Sequence, residues 1–279
     1  ESDMTFDEPE ESIEYIGNPD GDIYILVIAE RVAVGGLIAE TSGETLISNS
    51  FTLATISSAL QDIETYTGGF VGITGQDTRI ENSYASGLAD SDDITGGFTA
   101  IHNGFIQNSY SAMIIGESGN VRAAFCASRD GQLDGCVFDI QMACTGEIVQ
   151  FAEETSGEFG LPLKGLSTSR MTGADPEIPG TWYTTDGAYP QIESFALSDQ
   201  ETIASASKVS AIALSLPEDR SLADAVTDGE LILPVEIDGQ TIDWEAEGSI
   251  RIDENNQILI ESGREPESKN NNQTNAAAR

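Results

Sequence analysis

At 279 residues the chain is long enough to bury the core of one extended domain or of two. Twelve basic against 48 acidic side chains leave a net charge of −36, which repels nucleic acid and anionic membranes, and a surface so acidic, with only three lysines (Lys164, Lys208, Lys269), suits a salty medium. No stretch approaches the roughly 18 apolar residues of a membrane-spanning helix, and a chain opening on Glu1 rather than Met reads as a mature or excised region without its secretion signal.

Residues 1–33 begin as an acidic leader. Asn18-Pro19-Asp20-Gly21 then makes a turn into the apolar run Ile23-Tyr24-Ile25-Leu26-Val27-Ile28, expected to be a strand. From residue 34 a degenerate repeat takes over. Gly35-Gly36-Leu37-Ile38-Ala39 with Ile47-Ser48-Asn49-Ser50-Phe51 recurs as Gly68-Gly69-Phe70-Val71-Gly72 with Ile80-Glu81-Asn82-Ser83-Tyr84. It returns as Gly96-Gly97-Phe98-Thr99-Ala100 with Ile106-Gln107-Asn108-Ser109-Tyr110, and fades into Ala123-Ala124-Phe125-Cys126-Ala127 with Leu133-Asp134-Gly135-Cys136-Val137. The units start 33, 28 and 27 residues apart, a period at which units bury a core only by stacking. Large and small residues alternate at Leu37/Ala39, Phe70/Gly72, Phe98/Ala100 and Phe125/Ala127, the period of a strand with one face inward. Ile47, Ile80, Ile106 and Leu133 are expected to stack as an apolar ladder, and Asn49, Asn82 and Asn108 as a turn-forming column able to hydrogen-bond along its length.

The units resemble the GLUG motif of bacterial secreted and surface proteins, most closely over Gly68 to Leu88. Cys136-Val137-Phe138-Asp139, Thr155-Ser156-Gly157, Gly165–Met171, Gly180-Thr181-Trp182 and Ala188-Tyr189-Pro190-Gln191-Ile192 are similar to the closing segment of such arrays, which extends the resemblance over about residues 35–193. It implies a short β-solenoid over residues 34–195 and says little about activity, since such repeats occur in adhesins, large surface proteins and some proteases. The first coil of a solenoid has an open edge that must be covered, and Ile23–Ile28 is the expected cap. The alternative is that the N-terminal arm, or the Asn-rich tail at 264–279, pairs with a neighbouring subunit.

Between residues 196 and 263 short alternating runs separated by turns suggest a β-sandwich. Leu231-Ile232-Leu233-Pro234 followed by Thr241-Ile242-Asp243-Trp244 resembles a truncated bacterial Ig-like domain over about 200–262. The fold class expected is therefore all-β: a short GLUG-like solenoid plus an Ig-like sandwich that stops short of its final strands.

Candidate chemistry is sparse. His102, the sole histidine, precedes Asn103-Gly104 and is expected in a solvent-facing turn, with no Ser or Cys partner at a motif spacing. There is no His-Glu-x-x-His and no phosphate-binding glycine loop, so no cofactor is implied. Asp90, Asp92 and Asp93 form the densest acidic loop and Asp20 with Asp22 a second; both lack EF-hand geometry, and calcium is the one ion they would suit. Tyr84 and Tyr110 either line a sugar-binding face or pack along the ladder. Cys126, Cys136 and Cys144 leave open one disulfide with a spare thiol, or three buried thiols. The reading is a non-enzymatic, extracellular structural or adhesive module of a cell-surface protein or fibre, with strand exchange between subunits as a route to assembly. Its expected partners are copies of itself, other surface proteins or polysaccharide, with no nucleic acid and no membrane insertion. The alternative is a carbohydrate-binding or carbohydrate-active β-helix.

Overall fold

A computed structural model of the chain describes residues 14–17, 23–26, 31–58, 60, 63–116, 118–143, 163–194, 203–204, 207–208, 211–237, 239–245 and 250–260. Strands β1 (Glu14–Gly17) and β2 (Ile23–Leu26) pair antiparallel with each other as a separate two-stranded sheet. The apolar run expected to cap the solenoid thus enters a hairpin, and its pairing partner is β1 rather than a coil strand.

The repeats build four coils of four strands. Coil 1 comprises β3 (Arg31–Gly35), β4 (Ile38–Glu40), β5 (Thr45–Ser48) and β6 (Phe51–Ser58), and coil 2 β7 (Glu64–Gly68), β8 (Val71–Ile73), β9 (Thr78–Glu81) and β10 (Tyr84–Ser91). Coil 3 comprises β11 (Ile94–Gly96), β12 (Thr99–His102), β13 (Phe105–Gln107) and β14 (Tyr110–Ile115), and coil 4 β15 (Val121–Ala123), β16 (Cys126–Arg129), β17 (Gln132–Asp134) and β18 (Cys136–Asp139). Like strands stack in parallel into four sheets, β3-β7-β11-β15, β4-β8-β12-β16, β5-β9-β13-β17 and β6-β10-β14-β18, the last extended by β19 (Leu163–Leu166). Register follows the repeat, with Gly35 opposite Gly68 and Gly68 opposite Gly96, and with Ile47 opposite Ile80 and Ile80 opposite Ile106.

Parallel strands place like residues about 4.8 Å apart, and the ring spacings match. Phe70 and Phe98 lie 4.7 Å apart and Phe98 and Phe125 4.8 Å, all stacked and buried. Ile47, Ile80, Ile106 and Leu133 form the expected second ladder within the same core cluster. At the corner between the third and fourth strands of each coil, Asn49, Asn82 and Asn108 take φ of 47°, 47° and 48°, and Gly135 takes 60° in coil 4. Only Gly, and Asn more readily than most residues, accepts this left-handed conformation, so the asparagines are kept for their backbone. The hydrogen bonding expected of them falls instead to the next residue: Ser83 Oγ accepts from Ser50 N, and Ser109 Oγ from Ser83 N, each at 3.2 Å.

Residues 163–194 run back along the side of the stack. A short helix, Thr168–Met171, follows β19, and β20 (Trp182–Tyr183) pairs antiparallel with β21 (Gln191–Ile192). Thr155–Gly157, read as part of the closing segment, lies outside the described residues, as does the tail 264–279. The described residues from 203 onward hold a 3-10 turn (Ile212–Ser215), a helix (Leu222–Thr227) and two hairpins, β22 (Glu236–Ile237) with β23 (Gln240–Thr241) and β24 (Ile250–Ile252) with β25 (Ile258–Ile260). Two facing sheets of a sandwich are not present among them. Leu222, Ala225, Leu231 and Leu233 instead bury in one cluster with Tyr110, Leu166 and Tyr189 of the solenoid and its lateral cover.

Candidate functional site

Four places in the stack could carry chemistry: the lateral tyrosines, the histidine, the acidic loops and the end of coil 4. Phe51, Tyr84 and Tyr110 stack at 5.1 and 4.8 Å on the outer side of β6, β10 and β14. The two tyrosines do not face solvent. Trp182 packs edge-on against Tyr84 and Tyr110, Tyr84 Oη donates to Gln191 Oε1 at 2.5 Å, and Tyr110 Oη donates to Pro190 O at 2.5 Å. Burial holds both phenols above their ordinary range. The sugar-facing option is thereby overturned, because the chain's own closing segment occupies that face.

His102 is fully buried at the end of β12, which corrects the expectation of a solvent-facing turn. Its Nε2 lies 3.1 Å from Gln132 O, an atom that can only accept, so Nε2 carries the proton and Nδ1 accepts from Thr74 Oγ1 at 3.1 Å. The ring therefore joins coils 2, 3 and 4. Desolvation, with the nearby Arg129 charge, pushes its pKa down to about 4 against the pull of the Gln132 carbonyl.

The Asp90 carboxylate accepts from Ser118 N (3.3 Å) and Ser118 Oγ (3.1 Å). That of Asp93 accepts from Thr65 N (2.9 Å), Thr65 Oγ1 (3.1 Å) and Asn120 Nδ2 (3.4 Å). These two acids serve contacts between coils, while Asp92 is exposed. Among the described residues no three of His, Cys, Asp and Glu gather as metal ligands. Asp20 and Asp22 lie outside the described residues, as does Cys144. Cys126 and Cys136 are free, buried thiols, so no bridge joins them. Burial pushes the Cys126 thiol up to about 12 and raises Cys136 likewise, which leaves both protonated and unreactive at neutral pH.

Two buried polar residues escape sequence reasoning. Asp139, at the end of β18, accepts from Gln141 N and Met142 N, both at 2.9 Å, and from Tyr189 Oη at 2.7 Å. Desolvation raises its pKa against those hydrogen bonds. Gln141 donates from Nε2 to Pro217 O and Arg220 O at 2.8 Å and accepts at Oε1 from Thr168 N at 2.9 Å. Together they fasten the closing segment and the C-terminal residues to coil 4. Gln141 belongs to no motif, and Asp139 stands in the sequence only as the last residue of Cys136-Val137-Phe138-Asp139, which does not reveal its partners. A cleft of about 490 Å³ beside this junction is walled by Ile212, Leu233, Pro234 and Ile237, with Asp186 and Lys208 at its margin. A smaller groove of about 370 Å³ beside Asn108 and Gly135 carries Lys164 and Glu177, which pair with each other at 2.9 Å.

Residues 64–90 match the sequence profile of the GLUG motif. That span is coil 2, from the first residue of β7 into β10. The strand register carries the same geometry to coils 1, 3 and 4, so a GLUG repeat solenoid fits the parallel stack as a whole. No curated protein and no solved structure matches the chain. No helix among the described residues is long and apolar enough to cross a membrane.

Proposed function

We propose that the protein is a non-enzymatic extracellular structural or adhesive module: a rigid solenoid segment displayed at the cell surface that joins other surface proteins. One observation carries this reading. The inward ladders and the lateral tyrosine face are filled by the chain's own side chains, while two acids of the densest acidic loop, Asp90 and Asp93, are used in bonds between coils. The design favours stiffness over a converging site. The motif match supports an extracellular setting, and the excess of acidic side chains suits exposure to salt. A carbohydrate-binding role loses its aromatic platform with the burial of Tyr84 and Tyr110.

Protease treatment and antibody labelling of intact producing cells test the assignment. Surface accessibility with no change in added polysaccharide is the expected result. Retention inside the cell, or depolymerisation of a glycan by the purified chain, overturns it.

A further inference from the structure

The two ends of the coil stack differ. At the C-terminal end Ala123, Ala124, Phe125, Cys126 and Ala127 are all buried. At the N-terminal end β3, β4, β5 and β6 are each the last strand of their sheet. Leu37, which ends the ladder of Phe70, Phe98 and Phe125, is 44% exposed where Phe125 is 1%. Leu46, Leu53 and Leu60 are exposed on the same coil. Gly68 O, Phe70 O and Ile73 O accept from the Gly36, Leu37 and Thr41 amides of coil 1. Their register counterparts in coil 1 are Gly35 O, Leu37 O and Glu40 O, on β3, β4 and the corner between them, where no strand pairs on the far side among the described residues.

Stacking also has a steric requirement with a direction. A methyl on Gly36 would lie 2.3 Å from Gly69 O, one on Gly69 2.1 Å from Gly97 O, and one on Gly97 2.1 Å from Ala124 O. The second glycine of each pair is thus needed wherever a coil follows on the C-terminal side. Coil 4, where no strand among the described residues is added to β15, β16 or β17, has Ala124 instead. Any coil that seats on coil 1 must bring a glycine to lie against Gly36 O. A second copy of this chain offers only coil 4, with Ala124, because its glycine pairs are already covered. The chain's own residues 1–30 contain Gly17 and Gly21 but no Gly-Gly pair.

We propose that the open face of coil 1 seats one further parallel coil, led by a Gly-Gly pair and supplied by a polypeptide segment outside residues 1–279. The proposal rests on the structural-module reading above and supplies its mode of joining. The same register then continues across the junction, bringing donors to the carbonyls of Gly35, Leu37 and Glu40 and covering Leu37.

The test uses the full-length chain and three synthetic peptides at about 1 M NaCl, where the screening length is roughly 3 Å. One peptide copies residues 64–91, one carries Gly69→Ala and one Gly75→Ala. A methyl on Gly75 points at the preceding coil, 2.8 Å from Thr41 O, a side that faces solvent in a docked peptide. Expected are one-to-one binding of the native and Gly75→Ala peptides, at least tenfold weaker binding of Gly69→Ala, and slowed hydrogen exchange across β3–β6 on binding. Failure of the native peptide to bind, or equal binding of all three, overturns the proposal. So does slow exchange, in the peptide-free chain, of those β3–β6 amides that do not donate to coil 2: in a monomer it assigns the face to residues 1–30, and in a dimer to a second copy. None of these readouts depends on cellular location, which judges the structural-module reading separately.

Discussion

Individual residues in this stack are chosen for what the next coil allows. A methyl at Gly97 meets Ala124 O at 2.1 Å and Ser111 Oγ at 2.6 Å, and backbone atoms between two paired strands cannot withdraw. Gly97→Ala should therefore destabilise the chain by about 3–5 kcal/mol, well above the usual range for a point substitution. Gly43→Ala, whose methyl meets nothing within 4 Å although its φ is 63°, should cost about 1 kcal/mol; equal losses in denaturant unfolding would show that the coils do not stack as described. His102 gives a pH signature. With a folded pKa of about 4 against an unfolded value of 6.5, the unfolded chain binds a proton that the folded chain refuses, so stability falls as pH drops through that window. The loss amounts to roughly 3 kcal/mol over the window. Asp139, whose pKa is raised by burial, works in the opposite sense, as does the neutralisation of surface carboxylates. The quantity to measure is thus the stability gap between the native chain and His102→Gln, from about pH 7.5 to about pH 4.5. It should shrink as pH falls, and a constant gap would mean that the ring is not held neutral.

At the level of elements, the junction between coil 4 and the C-terminal residues turns on Gln141. Its side chain satisfies Pro217 O, Arg220 O and Thr168 N, and Leu222 N donates to its own carbonyl at 3.0 Å. Gln141→Ala takes the side-chain partner from Arg220 O and Thr168 N, while Pro217 O keeps the Arg220 amide, at a cost of about 2–4 kcal/mol after partial hydration. The loss should be local. Hydrogen exchange is expected to accelerate over 211–231 while β7–β14 stay protected, and uniform acceleration would mean that the two regions unfold as one. The coils were legible in the sequence because stacking repeats one environment: Phe98 lies between near-copies of itself, and its glycine pair, isoleucine and asparagine recur in register. His102 was not legible, because its partners Thr74 and Gln132 lie 28 and 30 residues away and its burial exists only once three coils are stacked. The run from Leu231 to Trp244 does not by itself specify a sandwich, for a related reason. Alternation reports that one side of a segment is apolar, not what covers it, and Leu231 and Leu233 cover themselves against the end of the solenoid. Asp139 is one of 48 acids and differs from the rest only in where the last coil ends.

For the molecule as a whole, charge is the term that packing leaves unsettled. If every one of the 12 cationic side chains paired with an acid, 36 acids would still lack one. The described ion pairs, such as Arg31–Glu40, Lys164–Glu177 and Arg220–Glu230, lie at the surface. Exposed pairs of this kind contribute about 0–1 kcal/mol each and weaken as salt is added. The unpaired acids respond in the other direction. Their mutual repulsion reaches about 30 Å at 0.01 M salt and only about 3 Å at 1 M, and the compact state concentrates it more than the unfolded chain does. Because unpaired acids outnumber cations threefold, relief of repulsion should outweigh loss of ion pairing. The melting temperature of the full-length chain is therefore expected to climb steadily as NaCl is raised across that range. Potassium chloride should act equally, since screening depends on ionic strength and not on the cation. A flat profile would show acids too dispersed to repel one another, and a rise with calcium at millimolar levels but not with either monovalent salt would place a specific cation on the acidic loops instead.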